Sequence, residues 1–126
     1  MLCIPATISS PEVSFDQDTS CLALKGESYP ENSFEFFAPL FSWLESDLPR
    51  LKKLRLEINI PYMNSSSTKC ILDIFDLLAE HAGQGNEVTI CWYYEEGNDR
   101  ALELANEFSE DLPLPFETIP FRNEEG

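Results

Sequence analysis

From Leu54 to Ile60 apolar and polar residues alternate without a break: Leu54, Leu56, Ile58 and Ile60 against Arg55, Glu57 and Asn59. A two-residue period belongs to a strand with one buried face. A strand buried on both faces would be apolar throughout. The sheet therefore has one well-covered face and one lightly covered face. Beyond Tyr62 the period changes, and Ile71, Leu72, Phe75, Leu78, Ala79 and Ala82 recur at helical spacing. Where strand hands over to helix lies Tyr62-Met63-Asn64-Ser65-Ser66-Ser67-Thr68-Lys69, with four consecutive hydroxyl side chains. Asn, Ser and Thr suit such a place because their oxygens accept from the free N–H groups of the first turn. Those N–H groups and the helix dipole also make it a site that tolerates an added phosphate. Two readings stand open: a helix cap with surplus serines, and a phosphorylatable switch.

The rest of the chain supplies the partners of this unit. Residues 1–11, with Pro5 and Pro11, read as an irregular lead-in. Val13-Ser14-Phe15, the turn at Asp16-Gln17-Asp18 and Cys21–Leu24 suggest an antiparallel hairpin. Gly26-Glu27-Ser28-Tyr29-Pro30-Glu31-Asn32-Ser33 ends that hairpin, and Asn32 or Ser33 caps a helix with Phe37, Leu40, Phe41, Leu44 and Leu48 on one stripe. Pro39 should kink its first turns or delay it to about Ala38. Phe34, Phe36 and Trp43 fall off the stripe and are candidate partner-facing aromatics, with packing under loops as the alternative. Gly83 and Gly85 end the second helix, Val88–Tyr94 is a β-branched and aromatic strand, and Asn98 caps a helix bearing Ala101, Leu104, Ala105 and Phe108. Phe116–Ile119, fenced by Pro113, Pro115 and Pro120, is an edge strand, and residues 122–126 should fray. The sum is one α/β domain over residues 1–126: a mixed, mostly parallel sheet of about five strands, one of them antiparallel, with helices mainly on one face.

Charge and missing motifs exclude several functions. Eight basic against 23 acidic side chains give a net charge of -15. Nucleic acid and anionic membranes both require a basic face, so neither is expected as a partner. There is no apolar run of spanning length, and Met1-Leu2-Cys3-Ile4-Pro5 lacks the basic region of a signal peptide, which makes a cytoplasmic setting the default. Cys3, Cys21, Cys70 and Cys91 form no Cys-x-x-Cys pair and read as small buried hydrophobes in a reducing compartment. With a single histidine, His81, no metal site is expected, and no Walker-type or Gly-x-Gly-x-x-Gly loop suggests a cofactor. His81 lies several turns along the helix from the serines, so a Ser–His pair within that helix is excluded. It reads as a cation near the helix C-terminus, or as exposed. A binding or regulatory protein is favoured over an enzyme; an unrecognised serine hydrolase would instead be labelled by a serine-reactive probe.

Four segments carry a family resemblance: Gly26-Glu27-Ser28-Tyr29-Pro30-Glu31-Asn32-Ser33; Tyr62-x-Asn64-Ser65-Ser66-Ser67-x-Lys69; Asp73-Ile74-Phe75-Asp76-Leu77-Leu78; and Trp92-x-Tyr94. They resemble the SiaC-type regulatory phosphoproteins of bacteria, from about Ile4 to Phe121. That resemblance implies a STAS-like fold and partner-switching logic like that of anti-sigma-factor antagonists. It implies a serine/threonine kinase of the anti-sigma-factor type, a PP2C-type phosphatase, and a diguanylate cyclase bound and activated by the unphosphorylated form, promoting biofilm formation or aggregation. By residue matching the phosphoacceptor falls on Ser65, where the family often has Thr; Ser66, Ser67 and Thr68 remain less favoured candidates. Asn64, Ser66, Ser67 and Lys69 would shape its loop, with Tyr62 beside it. Tyr29, Glu31 and Asn32 would supply the adjoining partner surface, capping and loop packing being their other role. The alternative is a constitutive interaction module, or an antagonist acting on a different target.

Overall fold

The computed structural model describes residues 2–122. The chain order is β1 (Cys3–Ile4), β2 (Glu12–Asp16), β3 (Cys21–Lys25), α1 (Ser33–Ser46), a 3-10 turn (Leu48–Arg50), β4 (Lys53–Asn59), α2 (Ser65–Gly83), β5 (Glu87–Glu95), α3 (Asp99–Glu110) and β6 (Phe116–Phe121). The strands form one sheet in chain order. β2 runs against both its neighbours, whereas β3, β4, β5 and β6 are mutually parallel. Each parallel step crosses in the same direction through one helix. Right-handed crossovers then put all three helices on one face.

Register shows why that face is buried. Leu22, Leu56 and Ile90 stand side by side across β3, β4 and β5, and Leu24, Ile58 and Trp92 form the next row. Against these rows pack Phe37 and Leu40 of α1, Ile71, Ile74, Phe75 and Leu78 of α2, and Phe108 of α3. Phe108 meets Trp92 and Phe75 edge-on, with ring centroids 5.5 and 5.4 Å apart. Each fully buried side chain of this kind contributes about 1.5–3 kcal/mol relative to exposure. All three helices start on an asparagine whose side chain accepts an N–H three residues on: Asn32 from Glu35, Asn64 from Ser67 and Asn98 from Ala101.

Among the described residues the opposite face carries no helix. Its rows are Cys21, Arg55 and Thr89, then Ala23, Glu57 and Cys91. Glu57 is the hub there, accepting from the Tyr93 hydroxyl and the Cys21 thiol at 2.8 Å each. Arg55 donates to Tyr93 at 3.3 Å. Burial first, and then the hydrogen bond to Glu57, push the Cys21 thiol up to about 12. The Cys21 hydrogen bond, reinforced by Tyr93 against the effect of burial, holds Glu57 below the ordinary carboxylate range.

Several expectations are corrected. The sheet has six strands, because Cys3–Ile4 in the presumed lead-in pairs with Val13 and Ser14 of β2. Two residues are too few to show a period. α1 begins at Ser33 and takes Pro39 inside it. β6 runs to Phe121 with Pro120 opposite Tyr94, which an edge strand permits. Trp43 is buried and packs tilted against Phe15, ring centroids 4.7 Å apart, so it is no outward-facing aromatic. Cys3 is exposed and Cys21 only partly buried, unlike Cys70 and Cys91. Of the tail expected to fray, residues 123–126 lie outside the described residues; Arg122 pairs with Glu96 at 3.0 Å.

Candidate functional site

Pro61 cannot continue the β4 ladder, and the chain beyond it pairs with a different segment. Ser28 N–H donates to the Tyr62 carbonyl at 2.8 Å, and Asn64 N–H donates to the Ser28 carbonyl at 2.9 Å. The Gly26–Ser33 loop and the start of α2 are thereby joined at one end of the sheet. Gly26 makes the turn out of β3 at φ +120°, where a Cβ would also come within 3.3 Å of Pro11 Cα. Tyr29 N–H donates to the Ser9 carbonyl at 2.8 Å, tying the 5–11 segment to the same end.

Under this junction lies a chain of buried hydroxyls. Ser28, Ser33 and Ser67 are 0%, 1% and 0% exposed. Ser28 Oγ donates to Ser67 Oγ at 2.7 Å. Ser33 Oγ lies 3.1 Å from Ser67 Oγ and 2.8 Å from Ser66 Oγ. Ser66 Oγ donates to Asn64 Oδ1 at 3.2 Å. Each hydroxyl has one proton, so Ser28 donates to Ser67 and Ser67 to Ser33, and the chain ends on Asn64 Oδ1, which lies within reach of both Ser66 Oγ and, at 3.4 Å, Ser33 Oγ. The same Asn64 oxygen accepts Ser67 N–H at 2.9 Å and thus caps α2. Buried hydroxyls cost stability unless bonded, and this chain bonds each of them.

The four candidate hydroxyls are separated by this arrangement. Ser67 is sealed in the core. Ser66 is half-buried and doubly engaged. Thr68 is half-buried and donates back to the Asn64 carbonyl at 3.0 Å. Ser65 is exposed, and its hydroxyl makes no hydrogen bond among the described residues. With Tyr62, Thr68, Arg100 and Leu104 it lines a surface cleft of about 360 Å³ between the starts of α2 and α3.

Charged residues of α3, Arg100, Glu103 and Glu107, line the cleft on one side of Ser65, and exposed aromatic side chains lie on the other. Tyr29 and Tyr62 are exposed and meet edge-on at 6.0 Å. Lys69, exposed one turn beyond Ser65, holds its Nζ 5.8 Å from the centroid of the exposed Phe34 ring. Leu72, also exposed, follows two turns along the same side of α2. Glu31 and Asn32 are exposed beside this rim, with Asn32 engaged in capping α1. Phe34 is accordingly the off-stripe aromatic that faces outward, whereas Phe36 packs against the core. Ser28 and Ser33 have roles no local pattern reveals, since serine is usually exposed. Their sign in the sequence is that hydroxyls cluster in two distant segments that both carry the family resemblance.

Acid–base chemistry does not converge here. His81 lies 16 residues from Ser65 in the same helix, about 24 Å at the helical rise. It is buried rather than exposed, with Nε2 2.6 Å from the Leu51 carbonyl. Among the described residues no group of three or more His, Cys, Asp or Glu is placed to hold a metal ion, and no helix is long and apolar enough to cross a membrane.

The one-sided mixed sheet thus sets Ser65, alone of the four hydroxyls from Ser65 to Thr68, in the open at the start of α2. Residues 4–121 match the SiaC family of regulatory phosphoproteins, and the chain belongs to that family. It is 41% identical over 114 residues to an uncharacterized protein of Pseudomonas aeruginosa (strain UCBPP-PA14), covering 90% of each chain. It is also similar to the crystal structure of diguanylate cyclase SiaD in complex with its activator SiaC from Pseudomonas aeruginosa. There the TM-score is 0.88 at 40% identity, with 96% of this chain and 100% of that chain covered. Apo-SiaC from the same organism gives 0.86 at 39% identity, covering 94% and 97%.

Proposed function

We propose that this chain is a non-enzymatic, cytoplasmic partner-switching regulator, a single STAS-like domain that binds and activates a diguanylate cyclase in c-di-GMP signalling and so controls biofilm formation or aggregation. Ser65 is its switch. A serine/threonine kinase of the anti-sigma-factor type transfers the γ-phosphoryl group of ATP to Ser65 Oγ. The Oγ–P bond forms as the bond to ADP breaks, and the hydroxyl proton passes to the kinase's base. A PP2C-type phosphatase hydrolyses the phosphoserine. The unphosphorylated form docks on the cyclase through Tyr29, Glu31, Asn32, Tyr62 and Lys69 around the site, with Asn64, Ser66 and Ser67 shaping the loop.

The observation that carries this reading is that, of four consecutive hydroxyls, only Ser65 is exposed and unengaged among the described residues, beside the exposed Tyr62. Phosphorylation would add about -1.5 to -2 charges. Against a net -15 the global field barely changes, so the effect is local. At the first turn of α2 the helix dipole favours a phosphate by about 0.3–1 kcal/mol. Burying that charge against a partner's apolar surface costs several times more. Exclusion of the partner therefore outweighs any change in fold. The similarity to a structure of a cyclase with its activator supports the choice of partner.

The test is a binding and activity assay with a SiaD-type diguanylate cyclase. Unmodified protein should bind and raise cyclic di-GMP synthesis, and protein phosphorylated on Ser65 should do neither. Equal binding by both forms would refute the switch. A cyclase that binds neither form would point to an antagonist of another target.

A further inference from the structure

We propose that the buried hydroxyl chain decides which junction residue is phosphorylated, with Ser33 as its specificity-determining member. This rests on the reading of Ser65 as phosphoacceptor. A kinase scanning Ser65-Ser66-Ser67-Thr68 meets four alcohols of nearly equal chemistry, so intrinsic reactivity does not choose among them. Availability does. To attack the γ-phosphorus, an oxygen must turn a free lone pair in line with the bond to ADP while releasing its proton. Ser67 Oγ is enclosed between Ser28 and Ser33. Thr68 gives its proton to the Asn64 carbonyl. Ser66 is the close competitor: it adjoins Ser65 and is only half-buried. What withdraws it is Ser33, whose Oγ is hydrogen-bonded to Ser66 Oγ at 2.8 Å, with Asn64 Oδ1 as the second partner at 3.2 Å.

Ser33 sits in the first turn of α1 and Ser66 in that of α2, 33 residues apart. The two helix starts are thus fastened through the one hydroxyl that would otherwise compete. Removing Ser33 Oγ takes away the nearer of the two partners that hold the Ser66 hydroxyl. Removing Ser28 Oγ also breaks a buried hydrogen bond, yet leaves the Ser33–Ser66 link in place. The pair separates a specificity role from a loss of stability.

The experiment incubates full-length variants with ATP, magnesium and an anti-sigma-factor-type kinase from the same genome, and locates phosphate by tandem mass spectrometry. The parent protein should carry it on Ser65 alone. Ser65→Ala should carry none, despite the three hydroxyls that follow. Ser65→Ala/Ser33→Ala should regain phosphate on Ser66, an increase of about tenfold or more, the factor that loss of one buried hydrogen bond corresponds to. Ser65→Ala/Ser28→Ala should not. Phosphate on Ser66 in the Ser65→Ala protein would overturn the proposal with every buried hydroxyl left in place. So would an unmodified Ser65→Ala/Ser33→Ala double variant that circular dichroism shows to be folded. A parent protein that takes no phosphate removes the switch itself, and this inference with it; a parent phosphorylated on Ser65 with no effect of Ser33→Ala removes only the role of the chain.

Discussion

Both ends of α2 bury polar side chains, but they finish differently. At the start, hydroxyls from two segments satisfy one another, and the chain of bonds stops beside Ser65, which is exposed and unpaired among the described residues. At the far end, His81 Nε2 donates to the Leu51 carbonyl at 2.6 Å, while Asn86 Nδ2 donates to the His81 carbonyl at 2.9 Å and faces Nδ1 at 3.3 Å. There both polar side chains are engaged. One helix therefore carries a closed polar cluster that holds the turn between α2 and β5, and an open one that also presents a group. Burial and hydrogen bonding alone do not mark a functional site; the neighbouring residue left out of the network does.

The contrast can be broken most forcefully at Ser65. Ser65→Asp places a carboxylate where the partner docks. It should weaken cyclase binding by about 3 kcal/mol, roughly a hundredfold, from the cost of burying a charge. Isothermal calorimetry measures this, and unchanged affinity would take Ser65 out of the interface. The closed end should answer in the other currency. His81→Ala orphans the Leu51 carbonyl and opens a cavity, so urea unfolding should lose about 2–4 kcal/mol. Where the variant is folded, Ser65 should be phosphorylated at the parent rate; a slowed reaction would show that the two ends are coupled.

Smaller effects sharpen the comparison. Tyr62→Ala trims the apolar rim and should cost about 1–2 kcal/mol in cyclase binding. Its unfolding free energy should stay within about 0.5 kcal/mol, as for other exposed positions. A loss of stability without a loss of affinity would make Tyr62 part of the fold. The least effect belongs to the uncovered sheet face, remote from both ends of α2. Glu57 is held below the ordinary carboxylate range, first by the Cys21 thiol. A lowered folded value means that its stabilisation is present above the unfolded carboxylate's titration and fades as pH falls through the lowered one. Cys21 has the opposite sign: its stabilisation is present below the ordinary 9.0 and fades as pH rises towards about 12. Urea midpoints across pH should show both slopes, and Glu57→Gln should flatten the acid one. Phosphorylation of Ser65 should ignore this substitution.

Much of the architecture was legible residue by residue. The alternation at 54–60, the helical recurrence from Ile71, and the asparagines at 32, 64 and 98 each report a local property: which face is apolar, or which side chain meets a free N–H. Such properties need no knowledge of the remaining chain, and β4, the three helices and the one-sided sheet follow from them. β1 escaped because two residues have no period, and the span of β6 because Pro120 looks like a stop until the strand is known to be an edge. The family motif likewise pointed to Ser65 without separating it physically from the three hydroxyls after it.

That separation belongs to the tertiary structure. Whether a serine is sealed, engaged or free depends on what stands opposite, and here the partners come from 33 and 39 residues away. The burial of His81 and Trp43 has the same origin, in Leu51 and Phe15. Periodicity records the side of an element on which a residue lies. It does not record which distant oxygen meets a given proton, and at the start of α2 that meeting leaves one alcohol outside.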